Sequence, residues 1–186
     1  MKKILLWGVG ILVVLGMIGS FMDEDKKPAS QSAPATISNP QPDDKALFIS
    51  YHRDLMAKVD EADSMYEPFR KTLQKGDTME ATSIALKIKS PMLSLWGDIQ
   101  RLKTPDLQNK EAKKKLDQAK DAIAGSYLYK ANSVKGWIKF AETQDMKTFA
   151  ELKNKAEDMQ TLLFGGIVYL TEAGSIVGVN LASTSK

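Results

Sequence analysis

The 186-residue sequence contains no cysteine. That excludes disulfides, a cysteine-linked lipid anchor, thiol catalysis, c-type haem attachment and thiolate zinc sites. It contains one histidine, His52. No HExxH pair exists, and neither a Ser-His-Asp constellation nor a zinc site can be assembled around that single imidazole. A phosphate loop of the GxxxxGK[ST] type is missing too. Only three of the 26 basic residues are arginines, and the net charge is +3. A nucleic-acid surface needs a concentrated basic face, so no nucleic-acid partner is expected. Beyond residue 45 the runs of Val, Ile and Thr that signal strands are scarce, whereas Lys, Ala, Leu, Glu and Met dominate.

After MKK, an uncharged stretch runs from Ile4 to Met22. Nineteen residues at 1.5 Å each make about 28 Å of helix, close to the hydrocarbon thickness of a bilayer. A secretory signal has a shorter apolar region and small residues before its cut, and no Ala-x-Ala precedes the end of this one. Residues 1–22 are therefore expected to form a retained transmembrane anchor. Cleavage as a signal peptide is the alternative. Lys2 and Lys3 on one flank and Asp23, Glu24 and Asp25 on the other place the N-terminus in the cytoplasm and the rest outside.

Residues 23–45 carry Pro28, Pro34, Pro40 and Pro42 among Ser, Ala and Asp. With almost no large apolar side chains, this segment reads as a flexible linker, reaching about 60 Å at most.

Residues 46–186 show a 3.6-residue period. Phe48, Tyr51, Leu55, Val59, Ala62, Tyr66, Phe69 and Leu73 mark one helix face. KGD at 75–77 ends it, and Asp77 with Glu80 predicts a capping box for a second helix carrying Ile84, Ile88, Met92, Leu95, Ile99 and Leu102. Thr104-Pro105 predicts the start of a third, with Leu107, Ala112, Leu116, Ala119, Ile123, Tyr127, Val134 and Trp137 on its face. A fourth opens near Thr143 or Asp145. Pro68 and Pro91 predict kinks or breaks. The turns are short, so the expected fold is all-α, an antiparallel up-down-up-down bundle behind an N-terminal transmembrane helix.

Five groups of residues invite a functional reading. DEAD at 60–63 matches a helicase box by letters alone and reads as a solvated acidic face. The five lysines of NKEAKKKLDQAKD (109–121) read as solvated helix surface, with docking to an anionic partner as the sharper alternative. Tyr127, Tyr129, Trp137 and Phe140 read as core, or as one wall of a ligand cleft. His52 and Met159 fall at similar heights in an antiparallel bundle and form a candidate b-type haem pair. Gly166, Leu170, Gly174 and Gly178 form a small-residue row in an unusually apolar C-terminal stretch. They read as a buried helix end, a second membrane-embedded segment, or a candidate interaction strip.

No nucleophile–base pair stands out, so binding rather than catalysis is expected, with no cofactor. The expected role is that of an accessory, exclusion or modulator protein. It is held in the bacterial cytoplasmic membrane by residues 4–22 and engages a protein partner of the cell envelope. The alternative is a soluble periplasmic carrier of a hydrophobic ligand or b-type haem, released by signal removal.

Overall fold

The computed structural model describes residues 43–181, with the backbone alone at 153 and 154. The expected anchor and most of the expected linker lie outside the described residues. Four helices follow in order: α1 (Asp44–Lys75), α2 (Thr78–Arg101), α3 (Lys110–Thr143) and α4 (Met146–Ile176). No strand occurs among the described residues, and the fold is an all-α helical bundle. No helix among them is long and apolar enough to cross a membrane.

Short polar residues set the helix boundaries. Asp43 accepts the Lys45 amide at 3.0 Å and opens α1. Gly76, at φ 78°, closes it in the left-handed region that a residue without Cβ adopts freely. Asp77 accepts the Glu80 amide at 3.0 Å and opens α2. The return half of the expected capping box is replaced, because the Asp77 amide donates to Thr72 O at 3.3 Å and finishes the cap of α1. Asp145 opens α4, accepting the Lys147 amide at 3.0 Å and the Thr148 hydroxyl at 2.8 Å.

The predicted start of α3 is corrected. Residues 102–107 are not helical, and the cap is Asn109, whose side chain accepts the Glu111 and Ala112 amides at 3.0 Å. The Thr104 hydroxyl instead donates to Asp117, so it cannot cap a helix at Pro105. Leu107 is fully buried from within the loop. The loop is also held from α1, where the Asp44 carboxylate accepts the amides of Gln108 at 2.8 Å and Asn109 at 2.9 Å.

The expected breaks at Pro68 and Pro91 do not occur. Both prolines lie within continuous helices. Each forfeits one backbone hydrogen bond, but its neighbour on the core side, Phe69 or Met92, is buried and ties the helix to the bundle.

Contact pairs show the helix directions. Val59, Asp63 and Tyr66 of α1 meet Tyr127, Lys130 and Ser133 of α3 in the same chain order, so α1 and α3 run parallel. On α3 and α4 the pairs run in opposite order: Gly136 with Leu152, Gly125 with Leu162, Ile123 with Gly166, and Lys115 with Glu172.

The core has two parts. One gathers Phe48, Leu55, Ile99, Leu116, Ile123 and Leu170 from all four helices, together with Leu107. The other gathers Phe69, Ala85, Met92, Val134 and Trp137 from α1, α2 and α3 alone. The first half of α4 therefore lies against α3 and is held partly by Phe149, whose ring sits 5.2 Å from that of Phe140.

Candidate functional site

The row Gly166, Leu170, Gly174 and Gly178 faces mainly inward. A Cβ at Gly166 would come within 2.6 Å of Ile123 Cγ1 and 3.2 Å of Ala119 O, so the missing side chain is what lets α4 approach α3. Leu170 is 4% exposed. Gly174 lies against the Phe48 ring, with 3.1 Å between an added Cβ and Cζ. Gly178 sits in the turn after α4 at φ 76°, where the Val179 amide donates to Gly174 O at 2.8 Å and carries Val179 into the core. The small residues thus serve packing within the bundle, and residues 166–179 fold back onto it.

Besides Met146 and Phe149 near its start, α4 keeps an open apolar surface on the other side. Phe164, Ile167 and Val168 are 56%, 48% and 37% exposed. Spaced i, i+3 and i+4, they adjoin on the helix surface. Phe164 and Val168 stand two residues either side of Gly166, about 160° round the helix from it. Met79, Leu86 and Leu93 on α2 are also exposed. Their seven-residue spacing separates them by two turns, about 10 Å, so they stand singly. Scattered exposed apolar residues are ordinary, whereas adjoining ones form a contiguous apolar patch.

His52 and Met159 are not brought together. The Phe48–Gly174 contact sets the register of α1 against α4. His52, one turn past Phe48, is then level with Leu170, and Met159 lies eleven residues earlier, about 16 Å along the helix. His52 stacks on Phe48 with ring centroids 6.0 Å apart, and partial burial pulls its pKa below the usual imidazole value. No group of three or more His, Asp or Glu side chains able to hold a metal occurs among the described residues.

DEAD at 60–63 includes one residue that is more than solvated surface. Asp63 forms an ion pair with Lys130, which is only 7% exposed, and accepts the Tyr127 hydroxyl at 2.8 Å. The Lys130 ammonium lies 4.2 Å from the Tyr127 ring centroid and 5.8 Å from that of Tyr66. The Tyr66 hydroxyl shares a 3.0 Å hydrogen bond with Ser133. Burial, then the charge of Asp63, pushes the Tyr127 phenol well above its usual range. The phenol donates to the carboxylate that pairs with Lys130, so this group clamps α1 to α3. Sequence reading misses it because Lys130 sits among apolar residues and its partner is 67 positions away.

The four aromatics of α3 do not form one wall. Tyr127 belongs to the four-helix part of the core and Trp137 to the three-helix part. Tyr129 lines a groove between α3 and α4 instead. The lysines of 109–121 are largely neutralised by carboxylates. Lys110 faces Asp106 at 3.9 Å, Lys113 faces Asp117 at 3.4 Å, Lys115 faces Glu172 at 2.7 Å and Lys120 faces Asp121 at 3.7 Å.

No family model matches the chain, and neither a curated protein nor a solved structure shows significant similarity to it.

Proposed function

We propose that this chain is a tethered envelope protein that works by binding a protein partner rather than by catalysis. In this reading residues 4–22 anchor it in a bacterial cytoplasmic membrane, and the up-down-up-down bundle stands outside on the linker. The observation that carries the reading is the adjoining exposed trio Phe164, Ile167 and Val168 on the outer face of α4. With about half of each side chain still in water, a partner's apolar side chains would recover roughly 0.5–1.5 kcal/mol at each of the three. The partner chemistry that fits is an amphipathic helix laying its apolar stripe along α4.

A photocrosslinking side chain placed at Phe164 in intact cells tests this. One discrete adduct is expected, lost when Ile167→Gln is added and absent when the crosslinker stands at exposed Lys114 on α3. Equal crosslinking from both positions, or an adduct indifferent to Ile167→Gln, would overturn the partner face. Recovery of the mature product free in solution, beginning beyond Ser20, would overturn the tether.

A further inference from the structure

Two adjoining hollows, each about 320 Å³, lie between α3 and α4 and share Asn132 and Lys155. The helices are drawn together beside them by a missing side chain: a Cβ at Gly136 would come within 2.5 Å of Leu152. Lys135 and Lys139 on α3 and Lys155 on α4 line the same groove. The helix–helix register therefore brings three lysines to the lining of one hollow from segments separated by a turn.

None of these three lysines has a carboxylate within 4.0 Å among the described residues, in contrast to most of those in 109–121. Lys135 and Lys139 stand one turn apart, a like-charge spacing that costs a helix a few tenths of a kcal/mol. Among the described residues Glu151 is the one carboxylate lining the groove, and it makes no ion pair with Lys155 despite the favourable i, i+4 order. Asp145 lies close enough to feel Lys139. Its oxygens, however, are occupied by the Thr148 hydroxyl and the amides of Lys147 and Thr148. Asn132 adds a neutral amide to the wall. Among the described residues the groove thus offers three cations against one anion in a volume suited to a small ligand.

We infer that the groove walled by Lys135, Lys139 and Lys155 binds a phosphate-bearing anion, either free or as the headgroup of a lipid. Phosphate suits it because each group brings several acceptor oxygens and up to two charges, which separate ammonium groups can share. The site lies on the α3 side of α4, away from Phe164 and Val168, and is independent of the partner face.

Calorimetric titration of the full chain at low ionic strength tests it. Tripolyphosphate is the probe for free phosphate, and glycerophosphoglycerol is the probe for a lipid headgroup. The variant Lys135→Gln/Lys139→Gln/Lys155→Gln should bind at least about tenfold more weakly. The variant Lys75→Gln/Lys87→Gln/Lys89→Gln removes the same net charge from α1 and α2 and should bind as the parent does. Binding of either probe with that contrast supports the site, and whichever binds tighter assigns the source. Equal weakening in both variants would reduce the effect to net charge and overturn the proposal. Failure of the parent to bind either probe would overturn it too. Circular dichroism of the groove variant checks that the bundle remains folded, and shifts of the Asn132 and Thr148 amide resonances on titration of the parent give a second readout.

Discussion

Gly166 of α4 and Ile123 of α3 stand so close that a single added methyl would meet Ile123 Cγ1 at 2.6 Å, with the Ile123 amide nitrogen at 3.1 Å. The neighbouring Gly165 has nothing within 4 Å of the same position. Two adjacent glycines in one helix therefore carry opposite expectations. Gly166→Ala forces α3 and α4 apart at an overpacking cost of about 1–3 kcal/mol, offset by at most about 1 kcal/mol of helix propensity. Gly165→Ala keeps only the propensity gain. Urea denaturation followed by circular dichroism should show a lower midpoint for the first and a higher one for the second. A rise in both would mean that α4 does not need the close approach.

The Asp63–Lys130–Tyr127 clamp yields a second prediction. Asp63→Asn leaves the ammonium of Lys130 largely buried without its carboxylate, and Tyr127→Phe removes the phenol that donates to Asp63. Asp63 is half exposed, so the expected loss for Asp63→Asn is about 1–2 kcal/mol, below the range for a fully buried pair. The two changes should be non-additive, because Tyr127 donates to the same carboxylate whose charge Asp63→Asn removes. A double-mutant cycle from urea curves measures this, and strict additivity would show that the residues act independently.

A third prediction concerns acid. Burial lowers the pKa of His52, so the unfolded chain takes up a proton near pH 6.5 that the folded chain accepts only at lower pH. The stabilising difference is present above the unfolded value and is lost as pH falls through the folded one. The urea midpoint should decline as pH falls from neutrality through the ordinary imidazole range, and His52→Phe should flatten that decline. Because His52 is the sole histidine, no other side chain of the sequence normally titrates in that window. An unchanged slope in the variant would assign the effect elsewhere.

The helices were legible where local chemistry decides them. Asp77 and Asp145 cap their own helices, and most residues of the 3.6-residue stripes of α1 and α2 are buried, with Tyr66, Leu73, Ile84 and Leu102 partly so. Thr104-Pro105 misled because a cap followed by proline is also a common loop pattern. The deciding contacts there, Thr104 with Asp117 and Asp44 with Gln108, are made across the fold. Proline in a helix was overestimated as a breaker, since packing of Phe69 and Met92 holds the chain on either side.

The site residues show the same division. The spacing of Gly166, Leu170 and Gly174 announced close helix approach, yet it could not say whether the neighbour was α3 or a foreign helix. The grouping of Lys135, Lys139 and Lys155 left no mark in the sequence, because it depends on the register between two helices.

Asp44 grips the amides of Gln108 and Asn109 from the first turn of α1. A load entering the folded unit through the chain before Asp43 therefore meets a crosslink between the first helix and the entrance to the third. Peeling of α1 from its tip has to break that carboxylate grip before the helix can unwind. Asp44→Ala would remove this mechanical fuse and lower the force at which α1 begins to come away.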